Sequence, residues 1–193
     1  MTWRSLRRGL KRVWVPVILR AWPLARLWYR AWGLRLDGDP DDVVWYFAYG
    51  ANMHDRAFRE RRGMRPDEWR VGLIRGYRLR FNLDGHPKGK GAPANISADK
   101  EAEVWGVLYR INRRELIRLN ASEGIPGWRY RPIWLAAEDL GGNPLDVVTF
   151  IADGNDEDGK PSLRYITLLR EGARAHRLPE HWITFLEGVG HAE

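Results

Sequence analysis

Glu123 is followed by Gly124 and, seven residues on, by Tyr130. A carboxylate at such a helix end can take up and hand back a proton, although a lone Glu there is more commonly a solvated surface charge. A second segment, Tyr46-Phe47-Ala48-Tyr49-Gly50-Ala51-Asn52-Met53, runs from β-forming residues into glycine and then Asn. Glycine tolerates φ > 0 and close approach of backbone to a ligand, so such a turn can aim successive N–H groups at an anion or a polarised carbonyl. Most turns of this composition are only turns. A third segment, Pro161-Ser162-Leu163-Arg164-Tyr165, opens a long helical pattern with ordinary start residues and ends on a phenol.

Other chemistries find less support. There is no cysteine, which rules out thiolate nucleophiles, disulfides, thiolate zinc sites and iron–sulfur clusters, and fits a reducing, cytoplasmic setting. His176 and His181 are five apart across Pro179, and His54 adjoins Asp55. Neither pair has the i, i+4 spacing of helical metal ligands, so no metal site is expected. Gly-x-Ser-x-Gly is absent, which argues against a serine hydrolase of the nucleophile-elbow type.

These segments must be positioned by a body whose charge differs from that of the whole chain. The formal net charge is +7, yet residues 1–36 hold nine of the 32 Lys and Arg and no acid, leaving 23 bases against 25 acids elsewhere. The same stretch holds five of the eleven Trp residues. The basic pI therefore describes an N-terminal arm, and no nucleic-acid partner is expected for the near-neutral body. The longest uncharged run of the arm, residues 13–19, falls far short of the ~20 residues needed to span a bilayer, and Arg20, Arg26 and Arg30 break any secretory pattern. Leu6, Leu10, Val13, Trp14 and Val17 recur at helical spacing opposite Arg and Lys, predicting an amphipathic helix kinked at Pro16 and Pro23 that lies on an anionic membrane surface.

The turn cluster at 38–42 marks the boundary between this extension, 1–42, and a single domain, 43–193. Strands are predicted at 43–49, 77–82, 104–111, 134–137 and 147–152, the last two around Gly141-Gly142-Asn143-Pro144. Helices are predicted over 113–121, with Asn112 as N-cap and Glu115 as its capping-box partner, and over 162–176 and 179–187. Strands first and helices last give an α+β fold with a mostly antiparallel sheet able to close.

Taken in order, Tyr-Phe-Ala-Tyr-Gly-x-Asn at 46–52, Glu103-Val104-Trp105-Gly106-Val107-Leu108-Tyr109, Glu123-Gly124 with Tyr130, Pro-Ser-x-x-Tyr at 161–165, Gly172-Ala173-Arg174 and Leu178-Pro179 resemble the γ-glutamylcyclotransferase family of the AIG2-like superfamily. The resemblance spans nearly all of 43–189. It implies an antiparallel, closed β-barrel with flanking helices, no metal or organic cofactor, and a small γ-glutamyl substrate. It makes Glu123 the catalytic carboxylate, puts Tyr46, Phe47, Ala48, Tyr49, Gly50, Ala51 and Asn52 in the substrate loop, and places Tyr130 and Tyr165 at the pocket. Three positions depart from the pattern: Ala51 stands where many members have serine, Asn120 where Asp is common, and Phe150 where some carry tyrosine. They bear on substrate choice more than on chemistry. A γ-glutamyl-binding or membrane-surface module with altered catalysis is the alternative on the same fold.

In the implied reaction the α-amine of a γ-glutamyl group attacks its own γ-carbonyl, closing 5-oxoproline and releasing an amine or amino acid. The protein must deprotonate the α-ammonium, hold the chain folded back, stabilise an oxyanion and protonate the leaving nitrogen. One carboxylate can serve both proton transfers, and backbone N–H groups from Tyr49 to Asn52 are the candidate oxyanion donors.

Overall fold

The computed structural model describes residues 39–85, 91–123 and 130–192, with side chains set out for all of these except 121–123. The amphipathic helix expected in residues 1–36 lies outside them. Five strands form the domain's centre: β1 (Val43–Ala48), β2 (Glu68–Arg80), β3 (Asn95–Asn112), β4 (Arg131–Asp139) and β5 (Pro144–Ile151). They close into a barrel in the order β1-β3-β2-β4-β5, as the α+β reading expects. Every neighbouring pair is antiparallel except the closing one, where Trp45 and Tyr46 of β1 lie parallel to Val147 and Val148 of β5.

Two strands are much longer than their sequence pattern suggests. β2 starts at Glu68, nine residues before the predicted 77, because Gly72 and Gly76 interrupt the alternation that marks a strand. Both have structural reasons. Gly76, at φ +78°, sits where the register shifts between Arg75 and Tyr77, the left-handed conformation that a bulge assigns to glycine. Gly72 pairs with Gly106 of β3, and a side chain on either would strike its neighbours. β3 begins at Asn95 because its polar first half, Ser97 to Glu103, pairs with the end of β2 and is laced by Arg78–Asp99 at 2.6 Å and Arg75–Glu103 at 3.2 Å. Pairing there comes from backbone and charge, which hydrophobic periodicity cannot reveal.

Helix α1 (Arg113–Glu123) opens with the expected capping box. The Glu115 N–H donates to Asn112 Oδ1 at 2.9 Å, the Asn112 N–H reaches Glu115 Oε2 at 3.4 Å, and the other Glu115 oxygen accepts from the Arg65 N–H at 2.9 Å. Leu116, Ile117 and Leu119 carry the helix into the core. Helix α2 (Leu163–Ala175) starts where Ser162 caps the Tyr165 N–H, and α3 (Glu180–Gly188) follows Pro179. Ile166, Leu169 and Ala173 of α2 and Trp182, Ile183 and Leu186 of α3 join barrel residues such as Val107, Leu108 and Tyr109 in one core.

The tightest backbone approach in the barrel is at Gly106, where an added Cβ would lie 2.3 Å from the Ala48 carbonyl and 2.8 Å from the Phe47 ring. Overpacking of this kind costs ~1–3 kcal/mol. Gly106→Ala should therefore lower the unfolding free energy in urea by about 2 kcal/mol, whereas Gly188→Ala, which meets nothing within 4 Å, should stay within about 0.5 kcal/mol of wild type. Equal midpoints for the two variants would show that β1 and β3 yield at no cost.

Candidate active site

Strand β1 delivers the Tyr46 to Asn52 segment to one end of the barrel. Beyond it, Gly50 leads into a 3₁₀ turn, Ala51–Met53, closed by the Met53 N–H donating to the Gly50 carbonyl at 2.9 Å. Gly50 has φ −118°, so it is not there for a left-handed backbone. Its role is close approach: a Cβ at this position would stand 3.1 Å from the Tyr165 hydroxyl and 3.5 Å from Ala94 Cβ. Downstream, α2 presses against the turn, with Gly172 leaving room for Met53 and His54, since a Cβ there would be 2.8 Å from the Met53 carbonyl carbon. His54 Nε2 also meets Glu171 at 3.0 Å.

Beneath the turn the rings are stacked and bonded. Tyr46 stacks on Phe58 at 5.8 Å, Phe58 on Tyr109 at 4.3 Å, and the Tyr46 hydroxyl accepts from Asn52 Nδ2 at 2.8 Å. The fully buried Tyr109 hydroxyl lies 3.2 Å from His176 Nε2, and His176 Nδ1 lies 3.0 Å from the Gly172 carbonyl. A carbonyl can only accept, so Nδ1 carries the proton and Nε2 accepts from Tyr109. Burial pushes the His176 pKa down and the Tyr109 pKa up, which keeps both neutral. Among the described residues no group of three His, Asp or Glu side chains converges.

A cavity of about 250 Å³ opens over the turn. Tyr46, Tyr49, Gly50, Ala51 and Asn52 line one side of it, and Pro93, Ala94, Tyr130, Phe150 and Tyr165 the other. Two expected loop residues are not part of the lining. Phe47 and Ala48 are consumed by the β1–β3 contact at Gly106 and are 0% and 1% exposed. Phe150 faces Tyr46 across 5.6 Å, so this departure from the family pattern lies in the cavity wall. Ala51, a second departure, also lines the cavity, whereas Asn120, the third, is buried in α1, and its Oδ1 has no hydrogen-bond partner among the described residues. Glu123 is the last residue of α1, with its side chain outside the described set. Arg62 also lines the cavity. Sequence reasoning passed over it because Arg59, Glu60, Arg61 and Arg62 look like a solvated charged run.

One wall is held by two phenols on a single peptide segment. The Tyr130 hydroxyl donates to the Ala94 carbonyl at 2.7 Å, and the Tyr165 hydroxyl accepts from the Ala94 N–H at 3.1 Å. Tyr130→Phe and Tyr165→Phe should each lower the unfolding free energy by about 1 kcal/mol, and should couple in a double-mutant cycle because they share one segment. Amide exchange at Ala94 should accelerate in Tyr165→Phe. Unchanged protection there would mean that the hydroxyl does not hold the wall.

Residues 103–186 match the model of the AIG2-like family. The chain is 29% identical over 170 residues to a γ-glutamyl cyclotransferase from Aspergillus oryzae, with 77% of this chain aligned to 62% of that protein. It is also 29% identical over 143 residues to the γ-glutamylcyclotransferase of Bos taurus, where 69% of this chain meets 72% of the other. The chain thus spans about three-fifths of the fungal relative's length. Among solved structures, one titled γ-glutamyl cyclotransferase superposes with a TM-score of 0.70 at 22% identity, covering 79% of this chain and 90% of that one, a likeness of fold. YkqA from Bacillus subtilis superposes with a TM-score of 0.64 at 25% identity, covering 78% and 56%. A common barrel, a match to the AIG2-like family model over the segment that carries Glu123 and Tyr165, and relatives of one name lead to one conclusion: the chain has the fold of the γ-glutamylcyclotransferases and is similar to them in sequence.

Proposed function

We propose that residues 43–193 form a γ-glutamylcyclotransferase that converts the γ-glutamyl group of a small substrate to 5-oxoproline and releases an amine or amino acid. The observation that carries this reading is the cavity of about 250 Å³ over the Gly50 turn, joined to sequence similarity to relatives named for that activity. Its volume lies just below the ~300–1,000 Å³ typical of sites for drug-sized ligands, a scale that suits an amino-acid-derived group.

The chemistry needs no enzyme nucleophile, because the substrate supplies its own. The α-nitrogen bonds to the γ-carbon, the γ-carbon to leaving-nitrogen bond breaks, and the proton lost by the α-ammonium ends on the leaving nitrogen. Glu123 is assigned both transfers by its match to the family motif, as base and then as acid. The N–H groups of the Gly50 to Asn52 turn are the candidate donors to the γ-carbonyl oxygen as it gains charge, a contribution typically worth ~3–4 kcal/mol per donor. Ala51 lacks the hydroxyl of serine but keeps the N–H, which is the group this role requires. The rigidity of the turn supports the assignment, since preorganised donors stabilise charge without reorganising during the reaction.

Glu123→Gln keeps the shape of the side chain and removes its capacity to accept a proton. Release of 5-oxoproline from a panel of γ-glutamyl peptides and amines should fall by ~10²–10⁴-fold or more, with substrate binding and melting temperature nearly unchanged. Turnover near that of wild type in this variant would remove Glu123 from the mechanism.

The membrane-surface reading concerns residues 1–36 alone and rests on their Trp and Arg pattern. No helix among the described residues is long and apolar enough to cross a membrane. Full-length protein should sediment with anionic liposomes in a salt-sensitive way, at about 1 kcal/mol per basic residue near the surface. A chain starting at Asp41 should not, and equal partitioning of the two would sink the idea.

A further inference from the structure

We infer that His176 is a proton-controlled positioning residue for the turn at the cavity: when its ring takes up a second proton, the Tyr109 phenol passes its hydrogen bond from His176 to the Met53 carbonyl. The effect on turnover rests on the reading of that turn as the oxyanion site of the proposed reaction. The Tyr109 hydroxyl has one proton to give and two acceptors in reach, His176 Nε2 at 3.2 Å and the Met53 carbonyl at 3.4 Å. While Nδ1 alone is protonated, held on the Gly172 carbonyl at 3.0 Å, Nε2 is an acceptor and competes for the phenol proton. A ring with both nitrogens protonated only donates. Nε2 then donates to the phenol oxygen, and the phenol proton turns to Met53. Only the O–H has to rotate, so no side chain of the packed core is displaced.

From the Met53 carbonyl a chain of polar groups runs back through the turn. That carbonyl shares a peptide with the His54 N–H, which donates to the Ala51 carbonyl at 3.1 Å. The Ala51 carbonyl in turn shares a peptide with the Asn52 N–H, one of the donors proposed for the developing oxyanion. Hydrogen bonds in series polarise one another, by ~10–30% per bond. A phenol proton delivered to Met53 therefore makes the Asn52 N–H, at the other end of the chain, a stronger donor.

The surroundings set the pH at which this takes place. His176 caps the C-terminal end of α2, where the helix dipole favours a cation. Burial is the largest influence on its ring and opposes the charge, the Gly172 carbonyl and Asp55 favour it, and Arg59 and His54 oppose it. Asp55 and Arg59 pair with each other at 3.0 Å, so their fields largely offset. His54 faces Glu171 of α2 at 3.0 Å. From β2 the Trp69 ring meets the imidazole edge-on at 4.7 Å, while Glu68 and Arg70 alternate to the other face of the strand and pair at 2.7 Å. β1 brings Tyr46, whose phenol acts on Tyr109. The balance holds the His176 pKa below the ordinary value of about 6.5. The unfolded chain thus takes up this proton at a higher pH than the folded one, and stability declines as pH falls through that interval.

The test is a pH titration of the full chain followed by NMR of the His176 ring nitrogens, the Met53 carbonyl carbon and the His54 and Asn52 amide nitrogens. Wild type should show the Nδ1-protonated ring near neutral pH and a titration step below about 6.5, with the three backbone signals moving at the same midpoint. Tyr109→Phe keeps the stacked ring and loses the hydroxyl; His176→Gln cannot gain the proton. In both, the backbone signals should lose that step. A Met53 step of equal size in Tyr109→Phe, an Nε2-protonated ring in wild type, or a ring that stays neutral until the chain unfolds overturns the inference.

Kinetics on γ-glutamyl-alanine supply the second arm. The ratio of kcat in wild type to kcat in Tyr109→Phe should rise about 2–5-fold as pH falls through the His176 midpoint, with the ratio of KM values flat, because the gain is made in the transition state. Ionisations of the substrate and of Glu123 are common to both proteins and cancel in the ratio. A purely structural role for the phenol would give a kcat ratio independent of pH, which overturns the inference. Wild type that releases no 5-oxoproline at any pH, yet shows the coupled His176 and Met53 step, removes the cyclotransferase reading and keeps the proton control of the turn. Turnover without the coupled step does the reverse. Absence of both removes both.

Discussion

The seam that closes the barrel is the constraint on which the site depends. Only Trp45 and Tyr46 of β1 are in ladder register with β5, opposite Val147 and Val148, and one residue further the strands are joined by side chains instead. The buried Thr149 hydroxyl donates to the Phe47 carbonyl at 2.8 Å, and the Tyr49 hydroxyl donates to the Phe150 carbonyl. The cavity lies where this substitution takes place, between Tyr49 and Phe150. A parallel ladder continued to the end of both strands would fill that space with backbone. Ending it early on two hydroxyls closes the barrel while leaving one end open.

Helix α2 then fixes what the seam leaves unsupported. Its first turn carries Tyr165 to the Ala94 N–H, and two turns later Gly172 lets the helix backbone come against Met53 and His54. One rigid rod touches both walls, so neither can shift without the other. The lining is correspondingly poor in mobile side chains: backbone, alanine, proline and aromatic rings make up most of it. Such a site gains precision by giving up adaptability, which suits a reaction whose substrate must be held folded on itself.

How much of this could be read from the chain alone varies with the physics of each element. The starts of α1 and α2 were legible because a cap is a local device: Asn112 with Glu115, and Ser162 before Tyr165, satisfy backbone donors within three residues of themselves. The first halves of β2 and β3 were not, because Gly72, Gly76 and the polar run after Ser97 make sense only against a partner strand. The site divides the same way. The loop and the tyrosines Tyr130 and Tyr165 came from the order of motifs, since each alone reads as a turn or a helix start. Phe47 and Ala48 belong to the motif but serve the β1–β3 contact, a distinction that contiguous sequence cannot draw. Arg62 carried no signal, because what sets it apart from Arg59 and Arg61 is the direction of a turn made by Gly63.

The seam also dictates the order of events during folding. Its two side-chain bonds join residues 101 and 102 positions apart, and the Tyr165 bond to Ala94 spans 71. Long-range pairings of this kind are formed late, since the entropy of closing the loop is lost before any contact repays it. At the ribosome, β1 emerges first and has β3 to pair with, but it must wait for β5 before the barrel can close and for α2 before the wall at Ala94 is pinned. Until then β1 presents one unpaired edge, the condition in which strands associate wrongly between chains. The cavity is thus among the last features to exist, and its integrity reports that the whole domain has been assembled.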